Sequence, residues 1–224
     1  NYISSNWAER TDALPAPREQ ASYAAIRRSL LSAMHPGKRL IIPAGAAKVR
    51  SNDTDYPYRA HSAFAHLTGW GSDSEPDSVL VLEPAAKGHG ATLYFRERAG
   101  RDSDEFYANP EIGEFWIGPR PSLAQVAADL GLATAGIAEF AGVLDSVDAD
   151  TLLVRDADRD ITDQVDGRRL LAASLEAADC VGDGRVANDG DAELARDLSE
   201  LRLVKDAYEV GQIRLAVAAT KQGF

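Results

Sequence analysis

Short apolar runs recur along this chain, separated by longer segments in which apolar residues follow a helical spacing. Four runs rich in Val, Leu, Ile and Phe predict buried strands at 39–42, 78–82, 91–95 and 151–154. A turn-rich link joins the second run to the third, so we expect these two strands to form a hairpin. Strands that alternate with helices indicate an α/β fold. The hairpin makes the sheet mixed, so the prediction is a mixed β-sheet flanked by helices.

Helical spacing covers most of the chain between the predicted strands. The predicted helices span 18–35, 61–67, 121–131, 137–144, 168–181 and 191–204. In the first helix, Ile26, Leu30 and Ala33 form an apolar stripe. The segment 156–167 is dense in Asp and is predicted to be a loop. It resembles a calcium-binding loop in charge, but it lacks the central Gly and the closing Glu at the required offsets.

The last helix has a clear start signal. Asp206 is followed three positions later by Glu209, the spacing of a capping box. Val210, Ile213 and Val217 then give an apolar stripe at helical spacing. The pattern is still helical where the sequence stops, so we expect a cut or a domain boundary inside a larger protein.

Composition excludes several classes of protein. The 224 residues carry 35 acidic and 24 basic side chains, a net charge of −11, which opposes binding to nucleic acids and anionic membranes. No apolar run approaches the roughly 20 residues that span a bilayer, and the first residues lack a signal-peptide pattern. The single cysteine, Cys180, excludes an intramolecular disulfide and is interpreted as a small buried apolar residue. A cytoplasmic location fits this cysteine usage.

Motifs that would carry chemistry are scarce. The sequence contains no phosphate-binding loop, no G-x-S-x-G, no H-E-x-x-H and no C-x-x-C. His61 and His66 are five positions apart, on different faces of a predicted helix, which disfavours metal binding by this pair. Asp53 and Asp55 could bind a metal or an amine, or serve only as turn residues.

An aromatic segment is the other candidate for function. Phe115, Trp116 and Ile117 lie between Gly113 and Gly118. One interpretation is a strand packed on the core, and the other is an aromatic rim for a partner or ligand. The pattern alone leaves both open.

Several motifs, taken together and in order, resemble the amino-terminal domain of bacterial aminopeptidase P (Xaa-Pro aminopeptidase). The matching segments are Met34-His-Pro-Gly37, Arg50-Ser-Asn-Asp-Thr-Asp-Tyr-Pro-Tyr-Arg59, Phe64-Ala-His-Leu-Thr-Gly-Trp70, Asp77-Ser-Val-Leu-Val-Leu82, Glu114-Phe-Trp-Ile-Gly118 and Arg202-Leu-Val-Lys205 with Glu209 and Ile213. The resemblance covers about residues 18–224. It departs from the family at Ala65 and His66, where relatives carry an aromatic pair, and in the N-terminal arm.

The resemblance implies a domain organisation. The N-terminal arm is predicted from the sequence itself, because residues 1–17 are polar with two prolines and a single Trp7 that would anchor them. The resemblance makes 18–204 a creatinase-type N-terminal α/β domain. Residues 205–224 would start the hinge helix into a pita-bread catalytic domain. In this family the catalytic domain binds two metal ions, usually manganese, through two Asp, one His and two Glu. None of these ligands falls in the present chain, so we expect the chain alone to hold no cofactor and to be inactive.

The resemblance also implies a substrate and two site residues. Family members release the first residue of peptides with proline in second position. They assemble as homo-oligomers in which one subunit's amino-terminal domain closes a neighbour's active site. Asp53 stands where an Asp faces the substrate's α-amine, and Trp116 stands where a tryptophan reaches that pocket. The expected partners are therefore a proline-containing peptide, the chain's own catalytic domain and further copies of the protein.

Two alternatives share the expected fold. One is a non-catalytic protein-binding module of creatinase type. The other is the N-terminal domain of a prolidase or creatinase, which would take a dipeptide or creatine. The presence or absence of a pita-bread ligand set after residue 224 would separate them.

Overall fold

The computed structural model describes residues 2, 5–6, 9–52, 54–176 and 189–224. Three residues singled out from the sequence, Trp7, Asp53 and Cys180, lie outside the described residues. The strands are β1 (Arg39–Pro43), β2 (Val49–Ser51), β3 (Thr54–Asp55), β4 (Val79–Pro84), β5 (His89–Phe95), β6 (Ala133–Gly136) and β7 (Thr151–Leu153). The helices are α1 (Gln20–Met34), α2 (Ser62–Thr68), α3 (Asp104–Ala108), α4 (Glu114–Ile117), α5 (Leu123–Leu130), α6 (Phe140–Asp145), α7 (Arg159–Glu176), α8 (Asp189–Leu203) and α9 (Ala207–Gly223), with a 3₁₀ turn at Ile137–Glu139.

The main sheet has five strands in the order β6-β5-β4-β1-β7. β4 is antiparallel to both β5 and β1, whereas β6 and β7 add as parallel strands at the two edges. The β4–β5 hairpin and the mixed sheet flanked by helices are therefore confirmed. The pair β2–β3 forms a separate two-stranded ribbon.

Alternation along β1 divides the interior into two cores. Leu40 and Ile42 face one core and Ile41 the other, because successive side chains of a strand point to opposite faces. Helices α1, α2, α5 and α8 cover the first face, and α6 and α7 cover the second. The structure is a three-layer sandwich with buried apolar residues on both sides of the sheet.

Three local features differ from the sequence-based predictions. The edge strand β6 was not predicted, and α7 begins at Arg159, inside the Asp-dense segment predicted as a loop. The apolar stripe of α1 is exposed at Ile26, Leu30 and Ala33. The same helix instead buries Arg27 and Arg28.

The two buried arginines of α1 have a clear structural role. Arg27 donates to the carbonyl oxygen of His66 (2.9 Å) and Arg28 to that of Leu67 (2.7 Å). Both carbonyls belong to the last turn of α2, whose oxygens have no partner within the helix. The two guanidinium groups therefore satisfy acceptors that a purely apolar helix face would leave unpaired.

The predicted capping box at the start of α9 is present. Asp206 accepts a hydrogen bond from the backbone N–H of Glu209, and Glu209 accepts one from the backbone N–H of Asp206, both at 3.0 Å. Helix α9 buries none of its residues within the described structure. In the ranges described, no helix combines the length and apolar character needed to cross a membrane.

Candidate functional site

The aromatic segment forms a single turn of helix, α4, so the interpretation of 115–117 as a core strand is wrong. The backbone N–H of Trp116 donates to Gly113 O (2.9 Å), and that of Gly118 donates to Glu114 O (3.1 Å). Gly118 ends the turn at φ +98°, in a region that residues with a Cβ rarely adopt. The turn is too short to be predicted from periodicity.

Close packing against the end of α3 fixes where this turn begins. A Cβ placed on Gly113 would lie 2.6 Å from Asn109 O and 2.9 Å from both Glu105 O and Phe106 O. Three backbone oxygens at such distances leave no room for a side chain. Gly113 is therefore required for α4 to sit on α3.

The three side chains after Glu114 point into solvent. Phe115, Trp116 and Ile117 are 47%, 58% and 52% exposed. The rings of Phe115 and Trp116 pack edge to face with centroids 5.0 Å apart. The indole Nε1–H of Trp116 donates to the backbone oxygen of Tyr107 (2.8 Å). The polar end of the ring is thus satisfied and held, while its apolar surface stays available for contact.

Glu114 points the opposite way, into the protein. It is 5% exposed, and one carboxylate oxygen accepts from the backbone N–H of Ala99 (2.7 Å). The other oxygen accepts from the backbone N–H of Arg120 (3.2 Å) and from the Arg10 guanidinium. A single carboxylate therefore joins three separate stretches of chain at the base of α4.

A second ion pair supports the same base. The buried guanidinium of Arg120 donates to Glu105 of α3 (2.6 Å) and to the carbonyl oxygen of Ile112. Glu105 also lies 3.6 Å from Arg96. Sequence reasoning gave no structural role to Glu114 or Arg120, although Glu114 begins a motif of the family resemblance, because charged residues are rarely buried.

Glu75 is the titratable group of this region with the largest upward pKa shift. Burial raises the pKa of Glu75 to about 7, and the nearby Glu114 adds to the shift, while Arg120 and Arg96 oppose it. A carboxyl group with this pKa changes charge near neutral pH. The charge of Glu75, which acts on Glu114, is therefore expected to change near neutral pH.

The other predicted site residue, Asp53, lies outside the described residues, and its role stays a prediction. Its neighbour Asp55 is in β3, where it pairs with Val49 of β2 and is exposed. The ribbon is tied to the body by Tyr58, whose hydroxyl donates to Gly45 O (2.9 Å). Burial raises the pKa of Tyr58, so this tyrosine remains a neutral donor.

The N-cap histidine of α2 and the histidine inside this helix have different roles. His61 caps the helix by accepting from the backbone N–H of Ala63 (3.3 Å). His66 is buried, and its Nδ1 lies 3.2 Å from a carboxylate oxygen of Glu209. Burial, with help from Arg27, lowers the pKa of His66. Within the ranges the structure describes, no group of three or more His, Cys, Asp or Glu could hold a metal ion.

Comparison with known proteins identifies the domain. Residues 23–154, more than half of the chain, match the family "Aminopeptidase P, N-terminal domain". Xaa-Pro aminopeptidase 2 of Streptomyces coelicolor is 42% identical over 224 residues, which is 99% of this chain and 43% of that protein. Xaa-Pro aminopeptidase 1 of the same organism is 40% identical over 222 residues, covering 99% and 41%. The chain thus spans less than half the length of these relatives.

A solved structure agrees with the sequence matches. Pseudomonas aeruginosa aminopeptidase PepP superposes with a TM-score of 0.61 at 26% identity, over 87% of this chain and 41% of that one. The Escherichia coli aminopeptidase P structure shares the fold at 24% identity, with a TM-score of 0.53 over 71% and 35%. These matches confirm the resemblance found in the sequence. The chain belongs to the aminopeptidase P family, as an N-terminal domain of Xaa-Pro aminopeptidase-type proteins.

Proposed function

We propose that this domain forms the rim of the active site in a Xaa-Pro aminopeptidase, with Trp116 as an apolar wall for the peptide. The observation that carries the proposal is the fixed, exposed indole of Trp116. It is 58% exposed, yet its Nε1 is bonded to Tyr107 O at 2.8 Å. The Streptomyces relatives are Xaa-Pro aminopeptidases by name. The reaction is release of the first residue from a peptide with proline in second position.

A tethered ring suits this task for a physical reason. A wall that is already ordered loses little conformational entropy when a peptide docks against it. The Phe115 ring, in edge-to-face contact at 5.0 Å, restricts Trp116 from one side. The apolar strip of a proline-containing peptide can then pack on the indole without first ordering it.

Asp53 is proposed to recognise the substrate's α-amine. An aminopeptidase must bind a cationic amine, and a carboxylate does so through charge-assisted hydrogen bonds. Asp53→Asn should raise KM by roughly 10- to 150-fold, equivalent to about 1.5–3 kcal/mol for one hydrogen bond to a charged group. Asp55→Asn is the matched control, because Asp55 lies two residues away. Equal effects of the two changes would contradict the assignment.

The remaining machinery is proposed to lie in the rest of the protein. Two manganese ions would be bound by the pita-bread domain, and a metal-bridging hydroxide would supply the nucleophile. The working form would be a homo-oligomer in which this domain closes a neighbouring active site. The 224-residue chain alone should not turn over Xaa-Pro peptides. The single cysteine supports a cytoplasmic location for the whole protein.

The test of the rim is kcat/KM of the whole protein with Xaa-Pro peptides of increasing length. Trp116→Ala should lower kcat/KM more for long peptides than for a dipeptide, and Trp116→Phe should retain most activity. Thermal melting of both variants is the control for folding. An unchanged kcat/KM in Trp116→Ala would contradict the proposal. A whole protein without peptidase activity would support the non-catalytic binding module instead.

A further inference from the structure

The N-terminal arm lies against the base of the aromatic turn. Arg10 donates from Nη1 to the backbone oxygen of Ala99 (3.0 Å) and pairs through Nη2 with Glu114. Its guanidinium carbon also lies 5.3 Å from the centre of the Phe106 ring, within range of a cation–π contact. One arm residue thus contacts α3, α4 and the segment after β5.

Glu114 depends on this contact for its charge balance. Its side chain is 1% exposed, whereas the Arg10 side chain is 24% exposed. Over the described ranges, Arg10 is the only cation in an ion pair with Glu114. Without Arg10 the carboxylate would retain two backbone N–H donors, from Ala99 and Arg120, and no positive partner. A buried carboxylate left in that state is strongly disfavoured.

The segment after Arg10 is also fastened to the domain. The side-chain amide of Gln125 donates to the backbone oxygens of Thr11 and Ala13, each at 3.3 Å. Gln125 also closes the capping box of α5, because its oxygen accepts from the backbone N–H of Ser122 (3.0 Å). The arm is therefore held by a side chain that is itself fixed in the first turn of a helix.

We propose that residues 10–13 form a clamp that positions the aromatic turn. In this clamp Arg10 is a positioning residue that acts on Trp116 through Glu114. The path is short, since Glu114 is in the same helical turn as Trp116 and stands two residues before it. The consequence for peptide binding rests on the proposed function, but the clamp itself is a property of this chain.

The structural test is hydrogen exchange of the peptide that spans 113–118. Arg10→Ala should accelerate exchange there by at least 10-fold, and Arg10→Lys should restore part of the protection. Glu114→Gln should accelerate exchange as well, and the Arg10→Ala/Glu114→Gln double variant should add little to the larger single effect, because both remove one contact. The matched control is Arg168→Ala, which removes an exposed pair with Asp145. Equal exchange in Arg10→Ala and Arg168→Ala would overturn the clamp.

The functional test is a comparison of KM and kcat in the whole protein. Arg10→Ala should raise KM for a long Xaa-Pro peptide at least 3-fold, with kcat nearly unchanged. Its melting temperature should stay above the assay temperature, so that the variant is folded in the assay. The positioning role is refuted if Arg10→Ala accelerates hydrogen exchange at 113–118 but leaves KM unchanged, while Trp116→Ala raises KM. If neither variant changes KM, the proposed function fails, and the exchange data alone decide whether the clamp exists.

Discussion

Arg27 of α1 and Asp206, the residue that caps α9, form an ion pair across 179 positions of sequence, with Nε 2.9 Å from Oδ2. The same guanidinium donates to the carbonyl oxygen of His66 in α2 at 2.9 Å and lies 3.6 Å from Glu209. One buried side chain thus joins α1, the end of α2 and the first turn of α9. Burial opposes ionisation of Asp206, but the backbone N–H of Glu209 and the Arg27 charge outweigh it and lower the pKa of Asp206.

Removal of this pair should destabilise the domain and loosen α9. Arg27→Met should lower the free energy of unfolding by about 2–3 kcal/mol, below the range for fully buried pairs because Asp206 is 28% exposed. Arg159→Met is the matched control, since its pair with Asp163 is exposed, and it should cost less than about 0.5 kcal/mol. Urea unfolding of both variants measures the difference. Similar losses of unfolding free energy in the two variants would mean that the buried pair stabilises the domain no more than the exposed pair does.

Protection along α9 should fall from its first turn to its end. The capping box and Arg27 hold the start of the helix, whereas Ile213 and Val217 are about half exposed and no residue of α9 is buried. A helix of this length without burial is marginal in water. Amide exchange should therefore be slow in β4, intermediate at 207–211 and fast at 215–224. Uniform protection of 206–224 would contradict this expectation.

The stability of the domain should contain a pH-dependent contribution from Glu75. Its pKa is about 7 in the folded protein, above the ordinary value of 4.5, so the folded state binds a proton that the unfolded state releases between these values. Stability from this group is full below about pH 4.5 and falls as pH rises to about 7. Glu75→Gln should remove that fall and stabilise the domain at pH 8 by about 1–2 kcal/mol, allowing for solvent screening.

Melting temperatures from pH 5 to pH 8 measure the Glu75 effect. The exposed Glu111→Gln serves as the control for loss of one negative charge. Parallel plots of melting temperature against pH for the wild type and Glu75→Gln would show that folding does not raise the pKa of Glu75. A larger loss at high pH in the variant would reverse the assigned sign.

Gly113 should tolerate no side chain. Gly113→Ala places a Cβ within 2.9 Å of three backbone oxygens and should cost about 1–3 kcal/mol as overpacking. Gly142→Ala is the opposite case, because it lies inside α6 with nothing within 4 Å, and it should stabilise by about 0.5–1 kcal/mol. Differential scanning calorimetry of the two variants tests both signs. A neutral Gly113→Ala would show that α3 and α4 can move apart.

The central strands were predictable because their chemistry is unambiguous. β1, β4 and β7 are short apolar runs buried on both faces. Continuous apolar runs of this length are typical of strands that have helices on both sides of the sheet. β6 was missed because Ala133–Gly136 has small residues and little apolar surface. The buried face of α1 could not be predicted either, since the burial of Arg27 depends on carbonyls and carboxylates contributed by distant helices.

The sequence could single out the aromatic turn as a candidate site, but it could not predict the conformation of the turn. Two glycines and an aromatic pair mark 113–118 as unusual, and the family resemblance singled out Trp116. The inward direction of Glu114 follows from Arg10, Ala99 and Arg120, which are brought together only by the fold. The sequence around Glu114 does not indicate that Arg10, more than 100 positions away, will pair with its carboxylate.

The place of β1 between β4 and β7 also has a consequence for biosynthesis. The sequence that forms β4 is available to pair with β1 once residues 79–84 leave the ribosome, but β7 follows about 70 residues later in the order of synthesis. During that interval the nascent chain carries an open edge on β1, which is a template for pairing with other chains. Non-local pairing of this kind also slows folding. Truncated translation products that stop before Thr151 should therefore aggregate more readily than those that include β7.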